Sequence, residues 1–193
     1  MKRFFSAAVV ITALAVTFAG CKKDDDPVPQ KNIVKLGAQS NATIGAFYSV
    51  ETNMVYNQDL AFENQAKIDL LCFYEEAGGN NISLAGPGSN IREIFTGETA
   101  PENWTTKNET HFTATTSEIT IAQFDQIRDG NEIIRSYFNE TQTTGIKKAK
   151  DLKVNDIRAF MTVDSTFVIY KVISVAQGAD GYVEFEYKKY KPN

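Results

Sequence analysis

The sequence predicts a mainly β fold, a β-rich α+β domain of antiparallel sheets with two or three short peripheral helices. Three observations carry this. Between residues 157 and 190 the chain alternates, or runs apolar, in strand-length stretches punctuated by Asp-Ser and Gly-Ala-Asp-Gly turns. Residues 43–56 hold a hairpin pattern, and residues 67–74 form an apolar run of strand length. Helical spacing is confined to short stripes near residues 91–95 and 120–138.

In chain order, the first twenty residues stand apart from this domain. Lys2 and Arg3 precede an apolar run that ends in Thr17-Phe18-Ala19-Gly20-Cys21. A charged start, an apolar core and small residues before the cut mark a secretory signal peptide over residues 1–20. Small residues directly before Cys21 resemble the bacterial lipobox, which implies a lipid on Cys21 and a lipid anchor in the membrane. Residues 21–30 carry Lys22-Lys23-Asp24-Asp25-Asp26 and two prolines. Such a segment buries too little apolar area to offset its ordering entropy, so it is expected to be a flexible tether. Its acidic run resembles the export signal of Bacteroidota lipoproteins, which implies the outer membrane and its outer surface.

Residues 31–193 are expected to form a single domain. Roughly 160 residues suffice for one sizeable core. Residues 33–36 and 43–50 read as strands, and Glu51-Thr52-Asn53 turns the second into Met54-Val55-Tyr56. Residues 67–74 are apolar on both parities, as in a strand covered on both faces. Ile82 opens another short strand, which Gly86-Pro87-Gly88 ends. Ser89 or Asn90 could cap a helix carrying Ile91, Ile94 and Phe95. Residues 96–108 read as loop around the single Trp, Trp104. Residues 111–116 read as strand. Thr120 and Gln123 have capping-box spacing, and Asp129 opens a second cap before the stripe Ile133, Ile134, Tyr137 and Phe138. Residues 166–175 have no polar face and so are expected to lie centrally. Residues 182–190 alternate, with Val183, Phe185 and Tyr187 inward and Glu184, Glu186 and Lys188 toward water.

The composition excludes several function classes. The chain has 193 residues, 42% hydrophobic and 23% charged, which is ordinary for a globular protein and unlike a collagen, coiled coil or multi-span membrane protein. A net charge of -4 gives no footprint for nucleic acid. Catalytic patterns are missing too. One histidine allows one imidazole base, with no Gly-x-Ser-x-Gly elbow beside it. Cys72 lies in an apolar strand as an inert thiol, and no Cys pair or His-Glu-x-x-His offers a metal site. Asp69 is the acid of most interest, because an acid in an apolar strand is paired or has a raised pKa. The expectation is a protein that is not an enzyme.

The order of elements resembles that of surface lipoproteins of the Bacteroidota, and more specifically the HmuY-like haem-sequestering family. The residues that carry the likeness are the hairpin at 47–56, the acid-bearing strand Ile68-Asp69-Leu70-Leu71-Cys72-Phe73-Tyr74, and the closing strands at 160–175 and 181–187. The middle departs from the family, since Gly78-Gly79-Asn80-Asn81 is shorter than its glycine-rich stretch and residues 120–139 have no counterpart. The resemblance implies haem as a ligand, gripped from opposite sides by two axial side chains. His111, Met54 and Met161 are the soft donors in the folded part, and a His/Met pair is chemically sound for haem.

Three readings follow. A surface ligand-binding lipoprotein, with haem as the sharpest ligand, predicts His111 or Met54 in an apolar cleft. A glycan-binding lipoprotein predicts Trp104 exposed as a stacking platform beside polar side chains. A partner-binding or structural lipoprotein predicts an exposed sheet edge or apolar patch. All three describe a non-catalytic module with a small-molecule, glycan or protein ligand.

Overall fold

The computed structural model describes residues 31–113, 119–138 and 145–193. The signal peptide, Cys21 and the tether lie outside the described residues, as does the end of the strand expected at 111–116. Among the described residues, ten strands form two antiparallel five-stranded sheets. The first contains β1 (Asn32–Gly37), β6 (His111–Phe112), β8 (Ile157–Met161), β9 (Phe167–Ala176) and β10 (Tyr182–Tyr190), in the order β1-β10-β9-β8-β6. The second contains β2 (Phe47–Ser49), β3 (Met54–Tyr56), β4 (Leu70–Glu75), β5 (Asn81–Ala85) and β7 (Lys148–Ala149), in the order β3-β2-β4-β5-β7. Three short helices, α1 (Gln58–Glu63), α2 (Ile121–Gln126) and α3 (Ile133–Ser136), complete the β-rich α+β fold.

The sheets face each other across one core. Val34, Leu36, Phe160, Tyr170, Val183 and Phe185 of the first sheet meet Tyr48, Leu70, Cys72, Ile82 and Leu84 of the second. Rings interlock along it, with Tyr170 and Phe185 centroids 5.4 Å apart and edge to face. The two strands read as apolar on both faces, β4 and β9, are the middle strands of their sheets.

Both sheets are also covered on their outer faces. Outside the first, Ile157, Ala159, Phe167 and Ile169 lie under Ile119, Phe124, Ile127, Ile134 and Phe138 of the α2–α3 segment. Outside the second, Phe47, Leu71, Phe73 and Ala85 lie under Ile91, Phe95 and Trp104. This corrects the expectation for β10. Glu186 and Lys188 do not face water: both are buried beneath α2, while Val183, Phe185 and Tyr187 face the inter-sheet core as predicted.

Local differences have local causes. The expected strand at 43–50 shrinks to β2, because the Asn41 side chain accepts from the amides of Thr43 and Ile44 and holds them in a turn. The expected helix at 91–95 does not form. Ser89 donates its hydroxyl to the Lys147 carbonyl instead of capping, and Asn90 and Glu93 adopt φ of 55° and 62°, which no right-handed helix contains. The expected capping box is present: Thr120 and Gln123 exchange both bonds at the start of α2. Asp129, expected as a cap, accepts instead from the Lys189 amide. Helix α1 and strand β7 were not read from the sequence, although Asn57 caps α1 through the Leu60 amide.

Candidate functional site

The second outer cover carries the candidate site. Residues 86–110 cross the outer face of the second sheet without regular structure beyond one 3-10 turn at Pro101–Asn103. Aromatic anchors fix this loop. Phe47, at the root of the hairpin, lies 5.0 Å from the Phe95 ring and 5.4 Å from Trp104. The Trp104 indole N–H donates to the Thr99 carbonyl at 2.8 Å. Asn108 donates to the Ile68 and Ala66 carbonyls, and Thr110 to the Asp69 carbonyl at 2.7 Å. The Gly88 amide closes the two limbs onto each other through the Asn108 carbonyl. A Cβ at Gly86 would meet the Thr110 amide nitrogen at 2.7 Å, so glycine allows that approach.

Between these limbs lies a cleft of about 420 Å³. Such a volume falls within the range of about 300–1,000 Å³ for small-ligand sites. Pro87, Ile91 and Pro101 supply buried apolar floor, and Asn90, Arg92, Asn103 and Lys107 supply polar walls. Lys107 is anchored by donating to the Glu102 carbonyl at 2.6 Å. Asn103 spends its amide nitrogen on the Gly97 and Glu98 carbonyls, leaving its oxygen toward solvent. Arg92 and Asn90 are exposed, and neither side chain makes a hydrogen bond or ion pair.

A second cleft of about 320 Å³ lies beside residues 38–47, and its polar groups are committed. Asn41 holds its own turn and donates to the Asp180 carbonyl at 2.7 Å. Gln58 donates to the Thr96 carbonyl and the Thr99 hydroxyl, and Asn57 caps α1. Only the first of these two clefts presents an unpaired cation.

The residues singled out from the sequence lie apart. Trp104 is not an exposed platform. It is 4% exposed and serves as an anchor beneath the loop, because its ring completes the cover over Phe47. Met54 is 53% exposed on edge strand β3, outside both clefts. His111, half-buried on β6, is the direct antiparallel partner of Met161 on β8. Side chains of paired residues lie side by side on one face of a sheet. An axial His/Met pair must approach iron from opposite sides of the porphyrin plane, so His111 and Met161 do not fit that grip together. Among the described residues no group of three or more His, Cys, Asp or Glu is placed to hold a metal.

Asp69 sits at the entry to β4 and accepts from the Val50 amide at 2.8 Å. Burial raises its pKa to about 6, against the opposing Val50 bond. Its surroundings are structural: Tyr48 and Tyr187 both donate to Asn53 Oδ1, and Lys189 donates to the Val50 carbonyl. Together these clasp the β2–β3 turn. Burial pushes the Cys72 thiol well above its ordinary value, which keeps it protonated and unreactive.

No family model and no curated protein matches the chain. A solved structure, a DUF4466 family protein from Parabacteroides merdae, is similar with a TM-score of 0.56 and 16% identity over 85% of this chain. The chain spans 55% of the length of that protein. At this identity the likeness concerns the fold alone.

Proposed function

We propose that the chain is a non-catalytic lipoprotein, anchored through lipid on Cys21 at the outer surface of the outer membrane, that binds a polar ligand in the Arg92–Lys107 cleft. The observation that carries the reading is the uncommitted Arg92 guanidinium in a cleft whose loop is pinned through Asn103, Lys107 and the Phe47 ring. A guanidinium has five donors in a fixed fork, and one left unpaired on a pinned loop favours recognition over stability. The apolar floor and polar walls suit a small hydrophilic molecule of the glycan class. The signal peptide and the acidic tether support the location.

The full chain expressed in a Gram-negative host tests the anchor. Wild type should incorporate labelled fatty acid and be shaved from intact cells by protease. Cys21→Ser should lose the label, and labelling that survives the substitution defeats the lipidation reading. A haemin titration decides between the cleft and a haem site. A stoichiometric low-spin Soret shift, lost in His111→Ala, would move the ligand to β6; no shift leaves the cleft as the site.

A further inference from the structure

Resting on the cleft reading above, we infer that the ligand is a sugar bearing a single carboxylate, with Arg92 as the carboxylate-binding residue. The charge pattern narrows the class. Arg92 and Lys107 line the cleft with one acid, Glu102, so the site is cationic yet holds a negative group. A guanidinium matches a carboxylate with two parallel N–H···O bonds. A compact dianion such as phosphate would meet the Glu102 carboxylate as well as the two cations. A monoanion with hydroxyls makes use of all three, because Glu102 accepts from a hydroxyl while Arg92 takes the acid group. The floor agrees with this. Pro87, Ile91 and Pro101, themselves buried, give the cleft a small apolar contact for sugar C–H groups, and the Asn90 amide and Asn103 oxygen offer partners for its hydroxyls. Lys107 is held by the Glu102 carbonyl, so its charge is fixed at the wall before the ligand arrives.

The test uses the full lipidated chain in detergent micelles. Galacturonate, glucuronate and mannuronate, each a sugar with one carboxylate, are titrated by calorimetry beside their methyl esters and inorganic phosphate. The fluorescence of Trp104, adjacent in sequence to Asn103, gives a second readout, undivided because the chain has one Trp. At least one of these uronates should bind, with affinity falling at least tenfold in its methyl ester and in Arg92→Ala. Arg92→Lys should recover part of the loss. Arg92 is exposed, so its variants should unfold at the wild-type temperature. An ester that binds as tightly as its acid, or phosphate that binds more tightly than every uronate, overturns the carboxylate inference and leaves the cleft as a ligand site. Failure of all acids and all esters, with Trp104 unchanged, overturns the inference and the cleft reading together.

Discussion

The two outer faces of the sandwich present the same problem and are covered in opposite ways. Over the first sheet the cover is helical, and beside its apolar contacts α2 lies over a charged cluster of β9 and β10. Glu186, nearly inaccessible, receives Lys31 at 3.2 Å and Lys171 at 3.6 Å, and Lys171 also reaches Asp125 of α2 at 2.5 Å. Lys188 donates to the Phe124 carbonyl, and its ammonium lies 4.3 Å from the centroid of the Phe124 ring. Burial lowers the Lys188 pKa, and the Glu186 charge partly restores it. Over the second sheet the cover is an irregular loop, and its underside is aromatic. The short helices leave most terminal backbone groups unpaired, and β10 side chain and backbone groups help to satisfy them. A loop must tie its backbone down residue by residue, and the cleft opens where its limbs diverge. One cover spends its charges inward, and the other leaves a guanidinium outward.

Truncating one anchor on each side breaks this comparison most sharply. Trp104→Ala and Phe124→Ala each remove a buried aromatic, and each should cost about 3–5 kcal/mol of unfolding free energy in urea. Only Trp104→Ala should also abolish cleft binding. If Phe124→Ala disturbs the cleft equally, the two covers are not independent.

Glu186→Ala is the next largest effect. It takes the buried carboxylate away from Lys171 and Lys188, whose side chains are only 12% and 11% exposed, and leaves them Asp125 and the Phe124 carbonyl as partners. Breaking a buried pair costs about 3–5 kcal/mol, and the half-exposed Lys31 end argues for the lower part of that range. Urea midpoints read the loss. A change within about 0.5 kcal/mol would mean that the charges beneath α2 are solvated and that the first cover is held by Phe124 and Ile134 alone.

How much of this was legible in the sequence follows from how far apart the deciding contacts lie. The α2 start was readable because Thr120 and Gln123 are three residues apart and bond each other. The centrality of β4 and β9 was readable because burial on both faces leaves both parities apolar. The burial of Glu186 was not, because its partners Lys31 and Lys171 come from distant parts of the chain and the 184–188 alternation looks the same under water or under a helix. The 91–95 segment misled for a related reason. Ile91 and Phe95 have helical spacing, but they reach the second outer core from an irregular backbone. The cleft itself had no sequence signature. Arg92 and Lys107 are fifteen positions apart in a polar stretch, and only the fold brings them together. Trp104 lies in the same loop as the cleft, but it is buried beneath that loop and is not an exposed platform.

Asp69 distinguishes the two sides by pH. Its carboxyl, at the start of β4 where Thr110 ties down the second cover, has a folded pKa of about 6 against an ordinary value of 3.8. The folded state therefore keeps its proton in a window where the unfolded chain has lost it. Stability falls as pH rises from about 4 to about 6 and is flat above. The swing attributable to this group is roughly 3 kcal/mol, from about 1.4 kcal/mol per unit. Asp69→Asn keeps an acceptor for the Val50 amide and does not ionise. The stability of the variant relative to wild type should therefore rise by about that amount between pH 4 and pH 7. A difference that stays constant across those pH values would show Asp69 ionising as it does in water.

The smallest effect tests whether the helical cover depends on its own helix signals. Thr120 caps α2 by accepting from the Gln123 amide at 3.2 Å, while the Gln123 side chain accepts from the Thr120 amide. Thr120→Ala should cost about 1 kcal/mol, the usual worth of a cap. Helix α2 has only six residues, too few to be stable in isolation, so packing of Phe124 must hold most of it. The loss should therefore stay well below that of Phe124→Ala, and cleft binding should be unchanged. Amide exchange should quicken over α2 and nowhere in residues 86–110. If the exchange spreads to that loop, the two outer covers communicate through the inter-sheet core, and their division of labour is a single cooperative unit.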